Sequence, residues 1–131
     1  MTTAFLIGRI VFALYWLVAA YDHLFKSDSL VGYTASKGVK SAKFAVIGTG
    51  VLLLLGGLSI LLGLYVKIGI VLLVIFLIGV SFKMHAFWKE TEPMARMGDR
   101  INFTKNMALA GALLMLLAIP LPWALSISIN W

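Results

Sequence analysis

The sequence predicts an all-α membrane protein: one domain, residues 1–131, folded as a four-transmembrane-helix bundle that runs up-down-up-down. Three observations carry this. The chain is 62% hydrophobic and only 12% charged, against roughly 45–50% apolar content in a soluble domain, and its mean hydropathy is +1.03. Its apolar residues gather into four runs, at about residues 3–25, 43–65, 67–88 and 102–121, each near the ~20 residues of helix that cross a hydrocarbon core of about 30 Å. None shows the alternation of a membrane β-strand, and lipid offers backbone amides no water, so the runs must be helices.

The first run, AFLIGRIVFALYWLVAAY, is longer than the core of a secretory signal, and Asp22-His23-Leu24 is no small-residue cleavage site; a retained helix is expected. The second and third runs are joined by little more than Gly63-Leu64-Tyr65-Val66-Lys67, which makes them antiparallel neighbours. The first connection, KSDSLVGYTASKGVKSAK, is longer, and its Leu30, Val31 and Tyr33 suit a segment lying on the membrane surface. The third, KETEPMARMGDR, is polar and punctuated by Pro93 and Gly98, which predicts a loop. Pro120 and Pro122 stop or kink the fourth helix, leaving an apolar tail with Trp123 and Trp131 as interfacial anchors.

The chain carries no cysteine, which excludes disulfides, thiolate metal sites and thiol nucleophiles. Its formal charge is +6, yet the cations sit in short loops between apolar runs, where bilayer orientation explains them and nucleic-acid binding is not expected. Lys26, Lys37, Lys40, Lys43, Lys83, Lys89, Arg96, Arg100 and Lys105 fall on the side of the first and third loops, and Arg9 and Lys67 on the other. The positive-inside rule then makes those two loops cytoplasmic and both termini external.

Alternating helices bring the end of the first, the end of the third and the start of the fourth to one membrane face. That face collects Asp22, His23 and Lys26, then Lys83, His85 and Trp88, then Asn102, Lys105 and Asn106. Ionisable groups at such depth are costly and mark a site by default. The plainer reading is that each lysine snorkels to the headgroups and that Asp22 and Lys26, four residues apart, pair on the helix surface. His23 and His85 share a level on diagonal helices, which permits haem ligation, although no other haem signature accompanies them. A quinone headgroup needs only donors to its carbonyl oxygens and apolar walls; His23, His85, Lys105 and Asn106 with Phe87 and Trp88 supply both.

Arg9 lies inside the first helix at the opposite end. No acid is predicted at its level, so snorkelling, a backbone carbonyl or a partner subunit must serve it. Thr49, Gly56, Ser59 and Gly63 form a small-residue stripe for close helix packing, with Ala108, Gly111 and Ala112 of the fourth helix as the expected match. No GxSxG, Walker A or HExxH sequence occurs, and Glu90, Glu92 and Asp99 share a loop without metal-ligand spacing, so no metal site and no self-contained hydrolase or ATPase is expected.

GRIVFALYWLVAAYDHLFK, GVLLLLGGLSILLGL, HAFW and INFTKNMALAGALL, in that order and across nearly the whole chain, resemble the DoxX family of small bacterial membrane proteins. The strongest pieces are Arg9 with the DHLFK ending, and the block Phe103, Lys105, Asn106, Ala108, Leu109, Gly111. The resemblance implies four helices in the bacterial cytoplasmic membrane and an association with quinone-linked oxidation of reduced sulfur. The expected function is that of a membrane subunit of a quinone-linked redox complex, dependent on partner subunits, with the polar face holding a quinone or a partner. The alternative is a non-catalytic scaffold or assembly factor docking a partner protein or a further copy of the chain. A transporter would need helices broken near the midplane, and none is evident. Many members of the family carry a glutamate in the second helix where this sequence has Leu53, so any role of that carboxylate is lost here.

Overall fold

A computed structural model describes residues 2–127, among which every regular element is helical. The elements are α1 (Thr3–Phe25), α2 (Ser27–Ser36), α3 (Ala42–Leu62), α4 (Val66–Met84), a 3₁₀ turn (Phe87–Lys89) and α5 (Pro93–Leu116). Three stretches, Thr3–Phe25, Ala42–Leu62 and Val66–Lys89, are long and apolar enough to cross a membrane. The fourth long helix, α5, carries Arg96, Asp99 and Arg100 in its first turns, and the less charged part that follows, Ile101 to Leu116, still holds Asn102, Lys105 and Asn106 and spans about 24 Å at 1.5 Å per residue.

α1 starts on Thr2, whose hydroxyl accepts from the Phe5 amide at 3.4 Å. It buries Arg9, Ala13, Trp16 and Ala20, a 4-3-4 spacing that turns one face toward its neighbour. That neighbour is α3, which lies between α1 and α4, with α5 beyond α4. Its small residues serve both sides. A side chain at Gly50 would strike His23 and Leu24 of α1, and one at Gly57 would press on Trp16 and Leu17, whereas one at Gly56 would strike Leu73 of α4. The expected match with Ala108, Gly111 and Ala112 is not made: these three are exposed, and nothing lies within 4 Å of where a Gly111 side chain would stand. α3 is sandwiched between α1 and α4, so α5 has no access to its small-residue face.

Ser59 and Gly63 shape the α3–α4 turn, and Ser59 also packs on Gly69 of α4. Gly63 closes α3 at φ 67°, a left-handed conformation that glycine adopts without strain. The Ser59 hydroxyl is 2.6 Å from the Leu64 carbonyl oxygen and 3.1 Å from that of Tyr65. Thr49 bonds back to its own helix, at 2.7 Å from the Ala45 carbonyl.

Two loops proved to be helix. The first connection contains α2, which packs on α3 and α1. In the third, Pro93 does not interrupt a loop but opens α5: the Glu92 carboxylate accepts from the Met94 and Ala95 amides at 3.1 and 2.6 Å, and proline suits the first helical position because its missing N–H would be unpaired anyway. Gly98, with open space around it, is carried inside the helix. α5 also ends at Leu116, before Pro120, and the chain turns back on itself.

That tail is part of the core. Trp123, expected at the interface, is 2% exposed and sets its ring edge-on against Phe5 at 5.2 Å. Ile127 donates its amide to the Leu62 carbonyl at 3.0 Å. Trp131 lies outside the described residues. α1 and α5 make no close backbone approach; Phe5, Phe12, Trp16 and Trp123 pack between them, with a cavity left beside these side chains and bordered by Ala112 and Leu116.

Candidate functional site

α4 ends at His85, whose amide still bonds the Ser81 carbonyl at 3.1 Å. The 3₁₀ turn then reverses the chain, and the start of α5 at Pro93 carries Asp99 back alongside the end of α4. Asp99 and Asn106 are seven residues apart, two helical turns, and both are buried on the inner face of α5. Asp99 is only 5% exposed, so its charge requires partners.

It has three. His85 Nδ1 lies 3.1 Å from Asp99 Oδ1, Lys37 Nζ donates to Oδ2 at 2.8 Å, and the Tyr33 hydroxyl approaches Oδ1 at 3.4 Å. Lys37 also donates to Glu90 Oε1 at 3.0 Å. The Tyr33 and His85 rings lie 6.5 Å apart and 31° from parallel. α2, the end of α4 and α5 are thereby tied through one carboxylate.

The electrostatics follow from these contacts. The hydrogen bond to Asp99 holds the Lys37 ammonium above its ordinary pKa against the opposing pull of burial. Asp99 lies in the polar first turns of α5, ahead of the less charged part; burial acts to raise its carboxyl, and the hydrogen bonds from Lys37 and His85 outweigh that and hold it low. Burial, with the Asp99 charge nearby, raises the Tyr33 phenol. The Ala95 and Met94 amides lower Glu92.

Beside the network stands an aromatic group: Phe82, Phe87, Trp88 and Phe103, with ring centroids 5.2 to 5.8 Å apart. Trp88 is half exposed there, so a planar ligand can reach its ring.

The residues expected at this face are thus divided. His85 is in the network, Trp88 in the aromatic group, and Asn106 on the Asp99 face of α5. His23 is engaged elsewhere: its Nδ1 is 2.7 Å from the Ala19 carbonyl oxygen, and its ring stands edge-on to Phe76 at 6.2 Å. Asp22 is half-buried and makes no ion pair among the described residues; Lys26 lies instead 5.5 Å over the Tyr21 ring. Lys83 is exposed, and Lys105, also exposed, donates to Asn102 at 3.2 Å. Sequence reasoning missed Asp99, Lys37, Glu90 and Tyr33. The Glu92-Pro93 start was the available signal, since a helix begun there puts Asp99 in register with Asn106. Lys37 had none.

At the opposite end Arg9, 6% exposed, is served by backbone carbonyls. Nη1 donates to Ala124 O at 2.7 Å, and Nη2 to Leu61 O and Leu125 O at 3.2 and 3.1 Å. The guanidinium sits 6.0 Å from the Trp123 ring. One side chain thus ties α1, the end of α3 and the tail, whose unwound carbonyls would otherwise be unpaired.

The DoxX family model matches residues 4–86. Inner membrane protein YphA of Escherichia coli (strain K12) is 33% identical over 122 residues, which cover 93% of this chain and 86% of that protein. No solved structure matches. On the extent of the family match and the near full-length relative, this integral membrane protein belongs to the DoxX family.

Proposed function

We propose that the chain is a four-span subunit of a quinone-linked redox complex in the bacterial inner membrane, and that the His85–Asp99 end of the bundle holds the quinone headgroup. α5 is the fourth span. Its less charged part, ~24 Å long, is short, and the tail beyond Leu116 completes it; irregular backbone at membrane depth is tolerable when buried in protein, and Arg9 bonds the tail's carbonyls. The cation distribution orients the loops holding α2 and the 3₁₀ turn to the cytoplasm, with both termini outside. The relative's own name places that protein in the inner membrane.

The observation that carries the reading is the buried His85–Asp99 pair beside an aromatic group with an accessible indole. A quinone supplies two-electron, two-proton chemistry. With Nδ1 turned to Asp99, His85 keeps Nε2 for a ligand oxygen. Lys37 supplies the counter-charge to Asp99. Trp88 and Phe87 offer ring faces to a flat ligand. Ser81, one turn before His85 on α4, is fully buried, and its hydroxyl has no partner among the described residues. With no cysteine in the chain, the electrons come from a partner subunit.

The second reading, a scaffold that docks a partner, rests on the exposed cations Lys40, Lys43, Lys89, Arg96 and Arg100 around the same end. Purification in mild detergent with extraction of bound cofactors separates the two. Quinone retained by the wild type and lost in His85→Ala supports the first. A fixed-ratio complex with an acidic polypeptide and no quinone supports the second.

A further inference from the structure

The outward face of α5 stays apolar beyond the part that crosses the membrane. Met94, Met97 and Ile101 are all exposed, and their spacing of three and four sets them on one side of the helix, in line with the exposed Ala108, Ala112 and Met115 further along it. Met94 precedes Ile101 by seven residues, about 10 Å of helix. With α5 as the fourth span, Ile101 stands at the edge of the hydrocarbon core. The two turns before it then lie in the headgroup layer, which is about 5–8 Å deep on each side of a bilayer.

Arg96 and Arg100 flank this face at the same level. Both are exposed and stand four residues apart, where like charges repel along the helix surface. The acids beside them are already engaged. Lys37 bonds Glu90 and Asp99, and the Glu92 carboxylate accepts from the Met94 and Ala95 amides. Neither arginine has a carboxylate in ion-pair range among the described residues. Two accessible cations without a counter-charge thus sit in the headgroup layer next to an apolar strip that leads down into the membrane.

We propose that this face of α5 selects an anionic phospholipid, whose phosphate accepts from Arg96 and Arg100 and whose acyl chain lies along Ile101 and Ala108. Guanidinium groups match phosphate oxygens in pairs, and the unbranched Met94 and Met97 adapt to the glycerol region. A zwitterionic headgroup brings its own ammonium toward the two arginines and loses most of the attraction; an anionic one does not. The inference rests on α5 being the fourth span and is independent of the quinone.

The test places a fluorophore at Thr104→Cys, an exposed position one turn beyond Arg100, in a chain with no other cysteine. Its quenching in phosphatidylcholine nanodiscs is compared for phosphatidylglycerol and phosphatidylcholine carrying the same spin label high on the acyl chain. Half-quenching is expected at a mole fraction of phosphatidylglycerol at least fivefold lower. Arg96→Gln with Arg100→Gln changes only exposed side chains, so the fold is retained, and the two lipids become equal. Lys40→Gln with Lys43→Gln, exposed cations of the first connection, leaves the preference intact. Equal quenching before the arginines are changed overturns the proposal, as does a preference that survives their loss or falls as far with the lysine pair. An acidic polypeptide found covering Arg96 and Arg100 in the native membrane also overturns it. A spin label at Ala112→Cys tests the span separately, since dissolved oxygen reaches it in lipid and an aqueous nickel chelate does not. A water-exposed label there removes the span and this inference together; a lipid-exposed label with equal quenching removes this inference alone.

Discussion

His85 Nδ1 and Asp99 Oδ1 meet at 3.1 Å across the reversal between α4 and α5. The contact joins a helix end in the apolar part of the chain to the polar opening of the next helix. Lys37, from the far end of α2, completes the charge balance on the other carboxylate oxygen at 2.8 Å.

Asp99→Asn removes the charge that Lys37 and His85 share. Because Asp99 is buried and its bonds are charge-assisted, the loss is expected to be about 2–3 kcal/mol, read as a lower unfolding temperature in detergent. Glu90→Gln is the contrast: Glu90 is about one-third exposed, and Lys37 keeps Asp99, so the cost stays under about 1 kcal/mol.

The same network sets a pH window. Asp99 has a folded pKa below its reference of 3.8, so its contribution is present above that value and is lost as pH falls through the folded pKa. Lys37 is raised above 10.5, so its contribution is present below that value and is lost as pH climbs through the folded pKa. A spin label at Ala35→Cys, in a chain without other cysteines, should report a docked α2 between these limits. It should gain mobility only as pH falls below 3.8 and through the lower folded pKa of Asp99, and a label that stays immobile after Asp99→Asn would refute the tie.

Arg9→Lys keeps the charge but loses the fork that reaches Ala124 O, Leu125 O and Leu61 O together. The tail should loosen, and carboxypeptidase should trim the C-terminus at least tenfold faster than in the wild type.

Gly69→Ala and Gly111→Ala give opposite outcomes. A side chain at Gly69 would collide with Ser59, which bonds the α3–α4 turn, so stability falls by about 1–3 kcal/mol. At Gly111 nothing lies within 4 Å, and the better helix former gains up to about 1 kcal/mol.

The helical class was legible because lipid leaves no alternative to helices for long apolar runs. Helix order around the bundle was less so: Trp123 joins the core with Trp16 from a tail beyond the last helix, and nothing periodic in the sequence marks that return. His85 and Trp88 stood out as rare residue types at a helix end. Asp99 did not, because Pro93 and Gly98 read as loop punctuation; the acceptor on Glu92 turns that proline into a helix start. Arg9 was legible as a group in need of partners, but the carbonyls that serve it come from a tail whose return follows from three-dimensional packing alone.

The central claim is that the His85–Asp99 end binds a quinone ring beside Trp88, and quenching of tryptophan fluorescence by a short-chain quinone tests it most directly. The account predicts saturable quenching that disappears in Trp88→Phe and needs at least tenfold more quinone in His85→Ala. Quenching that never saturates, or that is unchanged in both variants, would contradict it.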